Sequence, residues 1–245
     1  IGLKRIGPAV FSSLLFRPIA PWLSDSIVSA PPTRATVNAW AKARLQDSFK
    51  LKFVIPPVVR RSYQDQYEVR CHQFGEVAYR EDCWHDAFNA LAWFAFPETK
   101  RAISQAHFSE LETWRLNNKW GLDDIFIQPN ARGARRDALT LFDEGGVIVT
   151  SDHPTLLDMI RHHDWKTLFW EKRDVVKYHV RFFVLGHALY EKALRPYREM
   201  TARALLLQVN ADFLNIDEAR QVEVADALTA RAIGDKCMIA SSTNI

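Results

Sequence analysis

The chain has 245 residues, of which 48% are hydrophobic and 25% charged; this is the usual globular mixture, and its eight Trp and fifteen Phe argue for a packed interior rather than a solvated coil. The net charge of +3 comes from scattered Lys and Arg, with "RGARR" as the densest group, so nucleic-acid binding is not expected. The three cysteines form no CxxC pair, which argues against a zinc ribbon or a disulfide framework and fits a reducing cytoplasm. The apolar run at 6–16 is too short to span a bilayer.

The first half of the chain is predicted to be mainly helical. Residues 1–34 are rich in Pro and Ser and predict an irregular arm with short helical pieces. "LKFVIPP" predicts a short strand that Pro56 and Pro57 stop. The predicted helices are 35–47, 63–74 with Gly75 as its C-cap, the apolar stretch 84–96, and a helix that starts at Pro97 and runs to about Asn117.

The second half adds predicted strands. "DALTLFDEGGVIVTSD" has two apolar runs around "DEGG", which predicts a β-hairpin. "VKYHVRFFVL" alternates like a strand, and "ARALLLQV" fits a strand or a helix, with a strand preferred. Helices are predicted in "TLLDMIRHHDWKTLFW", "GHALYEKAL" and residues 217–232. The predicted fold class is α+β: a mainly helical single domain over 35–235 with a small antiparallel sheet in its second half, followed by a tail at 236–245.

The helix at 84–96 carries polar side chains on an otherwise apolar surface. Each residue turns a helix by about 100°, so His85 and Asn89 lie about 40° apart and Asp86 about 100° from His85. Phe88 and Leu91 belong to the opposite, apolar face. A polar strip on a buried helix must find hydrogen-bond partners or water, because an unpaired buried polar group costs about 1–3 kcal/mol.

Other titratable side chains are also expected to need hydrogen-bond partners. His107 falls on the core-facing side of its helix, and His187 precedes Glu191 by four residues, so both of these side chains share a helix face. Asp137 follows Arg136 at the entrance to the predicted hairpin. Each of these residues also has a structural interpretation, as a hydrogen-bonded core histidine or a salt-bridged helical pair.

Several common catalytic sites are excluded by their missing motifs. The sequence contains no GxGxxG, GxxxxGK[ST], HExxH or GxSxG pattern. The nucleotide-binding, zinc-protease and serine-hydrolase sites that these motifs build are therefore not expected.

The same segments resemble a known family. "YREDCWHDAFNALAWFAFPETKRAISQAH", "RGARRDALTLFDEGG", "DWKTLFWEKR" and "FFVLGHALYEKALRPYREMTARALLL" are similar to the bacterial family called domain of unknown function 3025, from about Phe49 to Val209. The resemblance implies a bacterial cytoplasmic protein without an established activity. The positions that match its motif are Trp84, His85, Asp86, Asn89, Ala90, Leu91, Trp93, Phe96, Pro97, Lys100, His107, Arg136, Asp137, Thr140, Phe142, Asp143, Glu144, Gly186, His187, Ala188 and Glu191.

The leading hypothesis is a pocket where the helices of His85, His107 and His187 meet. Neutral imidazoles and a carboxylate would bind a divalent metal such as zinc, which would activate water for hydrolysis. The candidate metal ligands are His85, His107, His187 and Glu191, and the candidate catalytic residues are Asp86 as outer-shell group or base, Asn89, Arg136 as an anion clamp, and Asp137.

Two alternatives stay open. One is a non-catalytic interaction or scaffold module, with a protein partner, in which the histidines form a structural hydrogen-bond network. The other is an acid–base enzyme without a metal. All three hypotheses predict that His85 and His187 lie within about 10 Å of each other, with Glu191 or Asp86 turned toward one imidazole. An opening to solvent favours a functional site.

Overall fold

The computed structural model describes residues 10–23, 30–44, 50–57, 62–122, 124 and 133–235. The α-helices are α1 (Arg34–Arg44), α2 (Tyr67–Phe74), α3 (Trp84–Ala95), α4 (Pro97–Asn117), α5 (Ala134–Gly145), α6 (Pro154–Arg161), α7 (Arg173–His179), α8 (His187–Ala193), α9 (Asp212–Asn215) and α10 (Glu218–Gly234). The strands are β1 (Lys52–Val54), β2 (Glu76–Ala78), β3 (Gly146–Ser151), β4 (Val180–Val184) and β5 (Arg203–Gln208). The protein is a mainly helical α+β single domain, as predicted. Within the described ranges, no helix is long and apolar enough to cross a membrane.

Helix α3 lies at the centre of the main hydrophobic core. Every residue from Asp86 to Ala95 is buried, and Phe88 and Leu91 are completely inaccessible to solvent. This burial confirms the prediction made from its apolar surface. The core extends to the N-terminal region, where the 3-10 helix Leu14–Trp22 buries Phe16 and Ile19. The proposed division into an arm, a domain and a tail stays a prediction, and residues 236–245 lie outside the described part of the chain.

Two small sheets accompany the helices. The larger has the strand order β4-β3-β5, in which β3 runs antiparallel to β4 and parallel to β5. The sheet is therefore mixed, whereas the sequence predicted antiparallel pairing. The second sheet is a parallel pair of β1 and β2. The preference for a strand in "ARALLLQV" is confirmed by β5.

The predicted hairpin at 139–149 is wrong. Leu139 and Phe142 face the core from helix α5, and β3 begins directly after this helix at Gly146. Strand β3 pairs with β4 and β5, which lie far along the chain, so "DEGG" ends a helix and makes no turn between strands. In "VKYHVRFFVL", the first residues belong to α7 and only Val180–Val184 form a strand.

Candidate functional site

The first residues of two helices meet at the candidate site. His85 is the second residue of α3, His187 is the first residue of α8, and their Nε2 atoms are 3.1 Å apart. The prediction that these rings lie close together is thus confirmed. Only one of the two nitrogens can donate to the other if both imidazoles are neutral, so the contact fits either a hydrogen bond or two ligands that share one ion.

Glu144, near the C-terminal end of α5, completes a group of three potential metal ligands. Its carboxylate oxygens lie 3.6 Å from His187 Nε2 and 3.9 Å from His85 Nε2. One ligand atom from each of the three residues lies within 4.8 Å of the others. The sequence analysis did not select Glu144 as a ligand, because it placed this residue in a hairpin turn. Its match to the family motif was the one signal that pointed to it.

A close approach of two backbone segments brings Glu144 to His187. A Cβ atom on Gly186 would lie 2.5 Å from Gly146 N and 2.6 Å from Glu144 O, which is closer than such atoms approach in real proteins. Gly186 N also donates to Gly146 O at 2.9 Å. Glycine at 186 therefore lets the start of α8 pack directly against the end of α5.

Both imidazoles have a carboxylate beside the outer nitrogen of the ring. His85 Nδ1 lies 3.1 Å from Glu191 Oε2, and His187 Nδ1 lies 3.9 Å from Asp143 Oδ2. A carboxylate beside Nδ1 favours the tautomer that carries its proton there and leaves Nε2 free as an acceptor or ligand.

A buried lysine holds one of these carboxylates. Lys100, of which 3% is exposed, donates from Nζ to Asp143 and to Asn89 Oδ1, the latter at 2.8 Å. Its ammonium also lies 5.5 Å from the centre of the Trp93 ring. Burial alone would raise the pKa of Asp143, but the charge of Lys100, with further contributions from His187 and a hydrogen bond from Lys100, lowers it below its usual value. Asp143 is therefore ionised at neutral pH.

The protonation states suit cation binding. Burial lowers the pKa of His187 to about 3, although Asp143 opposes this shift, so the imidazole is neutral at physiological pH. Burial also raises the pKa of Glu144, and the nearby Asp143 adds to this, whereas His85 and Lys100 oppose it. A neutral His187 can coordinate a metal without losing a proton, and a cation beside Glu144 would stabilise its carboxylate.

The three residues border a cavity of about 470 Å³ between α2, α3, α4, α5 and α8. The cavity reaches solvent beside Glu144 and His85, whose side chains are 42% and 29% exposed. Its charged lining residues, apart from the histidines, are two cations and four carboxylates: Arg80, Lys100, Glu68, Asp86, Asp143 and Glu144. Because Glu68 is paired with Arg136, which lies outside the lining, the net formal charge of these groups is −1.

The remaining predicted site residues fall into two groups. Asp86, Asn89 and His107 line this cavity. Asp86 accepts three hydrogen bonds from the backbone and guanidinium of Arg80, at 2.7 and 2.8 Å, and Asn89 accepts from Lys100. His107 is not one of the three residues whose ligand atoms converge.

Two predicted residues lie elsewhere on α5. Arg136 is buried and is paired with Glu68 at 2.7 Å, so its charge is already compensated, and it is not among the residues that line the cavity. Asp137 is exposed on the outer face of the helix and is also absent from the cavity lining. The structure therefore brings together His85, His187 and Glu191, as predicted, and leaves Arg136 and Asp137 apart from them.

A second cluster of histidines and a carboxylate lies at the other end of β3 and β4. Asp152 Oδ1 is 3.0 Å from His179 Nδ1, and the rings of His153 and His179 are 4.4 Å apart. Their potential ligand atoms also lie within 4.8 Å of one another, but His153 is exposed. This cluster was not predicted from the sequence.

Comparison with known proteins gives one match. The family model described as "Protein of unknown function (DUF3025)" matches residues 51–244. No curated protein and no solved structure matches the chain. The matched region contains all three residues of the His85, Glu144 and His187 group and both carboxylates beside the rings.

Proposed function

The chain belongs to the family of proteins of unknown function DUF3025, and we propose that this member is a metal-dependent hydrolase whose divalent cation is held by His85, Glu144 and His187. The observation that carries the proposal is the arrangement of the two imidazoles. Their Nε2 atoms converge to 3.1 Å, and each Nδ1 atom faces a carboxylate, from Glu191 or Asp143. Carboxylates in this position are typical of histidines that bind metals.

The distances agree with coordination of one ion. Zinc–nitrogen bonds are about 2.0–2.1 Å long, so two imidazole nitrogens on a tetrahedral zinc are about 3.3 Å apart. The 3.1 Å separation of the two Nε2 atoms is close to this value. The carboxylate of Glu144 is farther away: Oε2 lies 3.6 Å from His187 Nε2 and Oε1 lies 3.9 Å from His85 Nε2. One of these oxygens would need to move closer to both imidazoles, and the partly exposed side chain has room to do so.

The charge of the cavity supports the same assignment. Arg80 pairs with Asp86, and Lys100 pairs with Asp143. Glu68 pairs with Arg136, so a formal charge of −1 remains on Glu144 in a partly enclosed space, and a bound cation would offset it. Two imidazoles and one carboxylate suit zinc, and three protein ligands leave a coordination position for water or substrate, as in catalytic zinc sites.

The chemistry of the proposed reaction follows from these residues. A bound zinc ion would lower the pKa of a coordinated water toward about 7, which supplies hydroxide for hydrolysis at neutral pH. Glu191 is within hydrogen-bond distance of His85 Nδ1 and would hold that ring with Nε2 directed into the site, whereas Asp143 lies 3.9 Å from His187 Nδ1, beyond hydrogen-bond distance. Lys100 lines the same cavity, where its ammonium holds Asp143 and Asn89 in place.

A structural network is the second candidate, because one observation favours it. The 3.1 Å contact between His85 and His187 is also the length of a hydrogen bond between two neutral imidazoles, and Glu191 satisfies the outer nitrogen of His85. A scaffold of this kind needs no ion. It does not require a cavity of about 470 Å³ beside the rings, which is the size of a small-molecule site.

Elemental analysis of the purified, untagged protein distinguishes these functions. The proposal predicts about one equivalent of zinc or a similar divalent metal in the wild type and its loss in His85→Ala. It also predicts that the protein hydrolyses a 4-nitrophenyl ester or phosphodiester. A chelator should abolish this activity, and added zinc should restore it. Metal-free protein that binds no zinc in a titration would contradict the metal site. Stoichiometric metal without hydrolysis of any ester, amide or phosphodiester tested would contradict the hydrolase.

A further inference from the structure

An exposed aromatic surface lies in the segment that leads into β4 and on β4 itself. Six of the fourteen large exposed apolar side chains in the described ranges fall within residues 161–182. We call them the aromatic surface: Trp165, Phe169, Trp170, Val175, Tyr178 and Phe182. Trp170 is 77% exposed and Tyr178 65%. A concentration of this kind is unusual for a solvated face and indicates an interaction site.

Three rings of this surface, those of Trp165, Phe169 and Phe182, form a ridge. Trp165 stacks on Phe169 with ring centres 6.0 Å apart and an interplanar angle of 17°, and Phe169 contacts Phe182 at 6.4 Å with an angle of 37°. Most of the Trp170 and Tyr178 side chains is also in solvent.

The local backbone structure directs aromatic side chains of this surface toward solvent. Residues Thr167–Glu171 form one turn of π-helix, a rare conformation that is frequent at functional sites. Leu168 in this turn is fully buried in a second hydrophobic core together with Val176 and Val180. Because Leu168 occupies the inward position, Phe169 and Trp170 project into solvent.

Positive charge surrounds the ridge. Residues 161–182 contain six Lys and Arg and three Asp and Glu, a net charge of +3. Arg161 is paired with Asp158 and Lys166 with Glu171, which leaves Lys172, Arg173, Lys177 and Arg181 as the cations of this segment without an ion pair to a described carboxylate. On α7, Arg173 and Lys177 are exposed beside Tyr178. A second copy of the chain would bring like charges together on this face, which disfavours self-association here.

We propose that the aromatic surface binds the interface of an anionic lipid bilayer. Trp and Tyr side chains bind at the boundary between acyl chains and headgroups, where the apolar part of the ring is buried and the polar tip stays hydrated. Lys and Arg around them are attracted to anionic headgroups, with a contribution that corresponds to about fivefold in affinity for each charge. The protein would lie on the bilayer surface without spanning it.

Vesicle co-sedimentation tests this proposal with the full chain. Vesicles of phosphatidylcholine mixed with phosphatidylglycerol should bind the protein, and vesicles of phosphatidylcholine alone should bind it at least about tenfold more weakly. Trp170→Ala should weaken binding to the anionic vesicles by about tenfold. The double variant Lys172→Glu/Lys177→Glu should weaken it by at least about 25-fold, because it removes two positive charges and adds two negative ones. Phe74→Ala, which removes a 52% exposed aromatic ring from the end of α2, and Lys42→Glu on α1 are the matched controls and should bind like the wild type.

Four results would overturn the proposal. The first is that the protein does not bind anionic vesicles, and the second is that Trp170→Ala binds them as well as the wild type does. The third is that Phe74→Ala loses as much binding as Trp170→Ala. The fourth is that Trp170→Ala changes from a dimer to a monomer while no variant binds vesicles. A single-stranded oligonucleotide that binds through Trp170 while vesicles do not would likewise replace lipid by nucleic acid. Circular dichroism and thermal unfolding of each variant verify that the surface substitutions leave the fold intact.

Discussion

The two clusters of histidine and carboxylate show that short distances between ligand atoms do not by themselves make a metal site. Both His85, Glu144 and His187 and the set Asp152, His153 and His179 bring three ligand atoms within 4.8 Å. In the first cluster His187 is deeply buried beside a cavity, and Glu191 lies 3.1 Å from His85 Nδ1, whereas His153 of the second cluster is exposed. These features fix the rings before a metal arrives, which lowers the cost of binding it.

The two clusters also arise differently. In the antiparallel pair, Ser151 of β3 is opposite Val180 of β4, so the residues just beyond this end, Asp152 and His179, meet as a consequence of strand register. The first cluster requires three helices from distant parts of the chain and the close approach at Gly186. We therefore expect the first cluster to bind metal tightly and the second to bind it weakly.

Removal of a ligand should have the largest effect. His187→Gln keeps most of the side-chain volume but replaces the imidazole, and it should weaken zinc binding by more than the roughly 100-fold that an outer-shell substitution reaches. His179→Gln is the matched control in the second cluster and should leave the tight site unchanged. Isothermal titration of zinc into the metal-free proteins measures both, and equal losses in the two variants would remove the distinction between the clusters.

Loss of the outer carboxylate should have a smaller effect. Glu191→Gln removes the charge 3.1 Å from His85 Nδ1 and should weaken zinc binding by about 10–100-fold. Asp152→Asn, which changes the carboxylate beside His179, should not affect the tight site. Unchanged affinity in Glu191→Gln would show that this carboxylate does not support the ligand.

The acid stability of the metal-free protein should depend on His187. Its pKa is about 3 in the folded state and about 6.5 in the unfolded chain, so between these values the unfolded state binds the additional proton. Stability is therefore lost as the pH falls from about 6.5 toward 3, with a slope of up to about 1.4 kcal/mol per pH unit. Urea unfolding in the presence of a chelator should show a smaller slope for His187→Gln, and an identical slope would contradict the neutral, buried imidazole.

Gly186→Ala, which displaces the backbone beside the site, should have the smallest effect on zinc affinity. Gly186→Ala would place a methyl group against Gly146 N and Glu144 O, which separates Glu144 from His187. Zinc binding should weaken by about tenfold, and the free energy of unfolding should fall by about 1–3 kcal/mol. Gly234→Ala, where an added Cβ meets nothing within 4 Å, is the control for both measurements.

Part of the site could be predicted because it depends on a local pattern. The polar strip of His85, Asp86 and Asn89 is visible in an almost entirely apolar helix, and the cost of burying such groups predicts that they meet partners. The structure provides them: His187 and Glu191 for His85, Arg80 for Asp86, and Lys100 for Asn89. The apolar surface of α3 likewise predicted the most buried helix.

The predictions that were wrong concern segments whose structure depends on contacts with distant parts of the chain. "DEGG" between two apolar runs fits a hairpin. In the structure, however, Val147 of β3 pairs with Val184 and Ala204, and no local sequence pattern predicts these distant partners. In "VKYHVRFFVL", alternate apolar residues include Val176 and Val180, which are four apart and therefore also fit one face of a helix. Glu144 was missed as a ligand because its predicted turn would have placed it away from both histidines.

Anomalous diffraction at the zinc absorption edge, from crystals of protein loaded with one equivalent of zinc, tests the metal site most directly. The account predicts a single strong peak about 2.0–2.2 Å from His85 Nε2, His187 Nε2 and a carboxylate oxygen of Glu144, and no comparable peak beside Asp152, His153 and His179. No peak between His85 and His187, or a stronger peak at the second cluster, would contradict it.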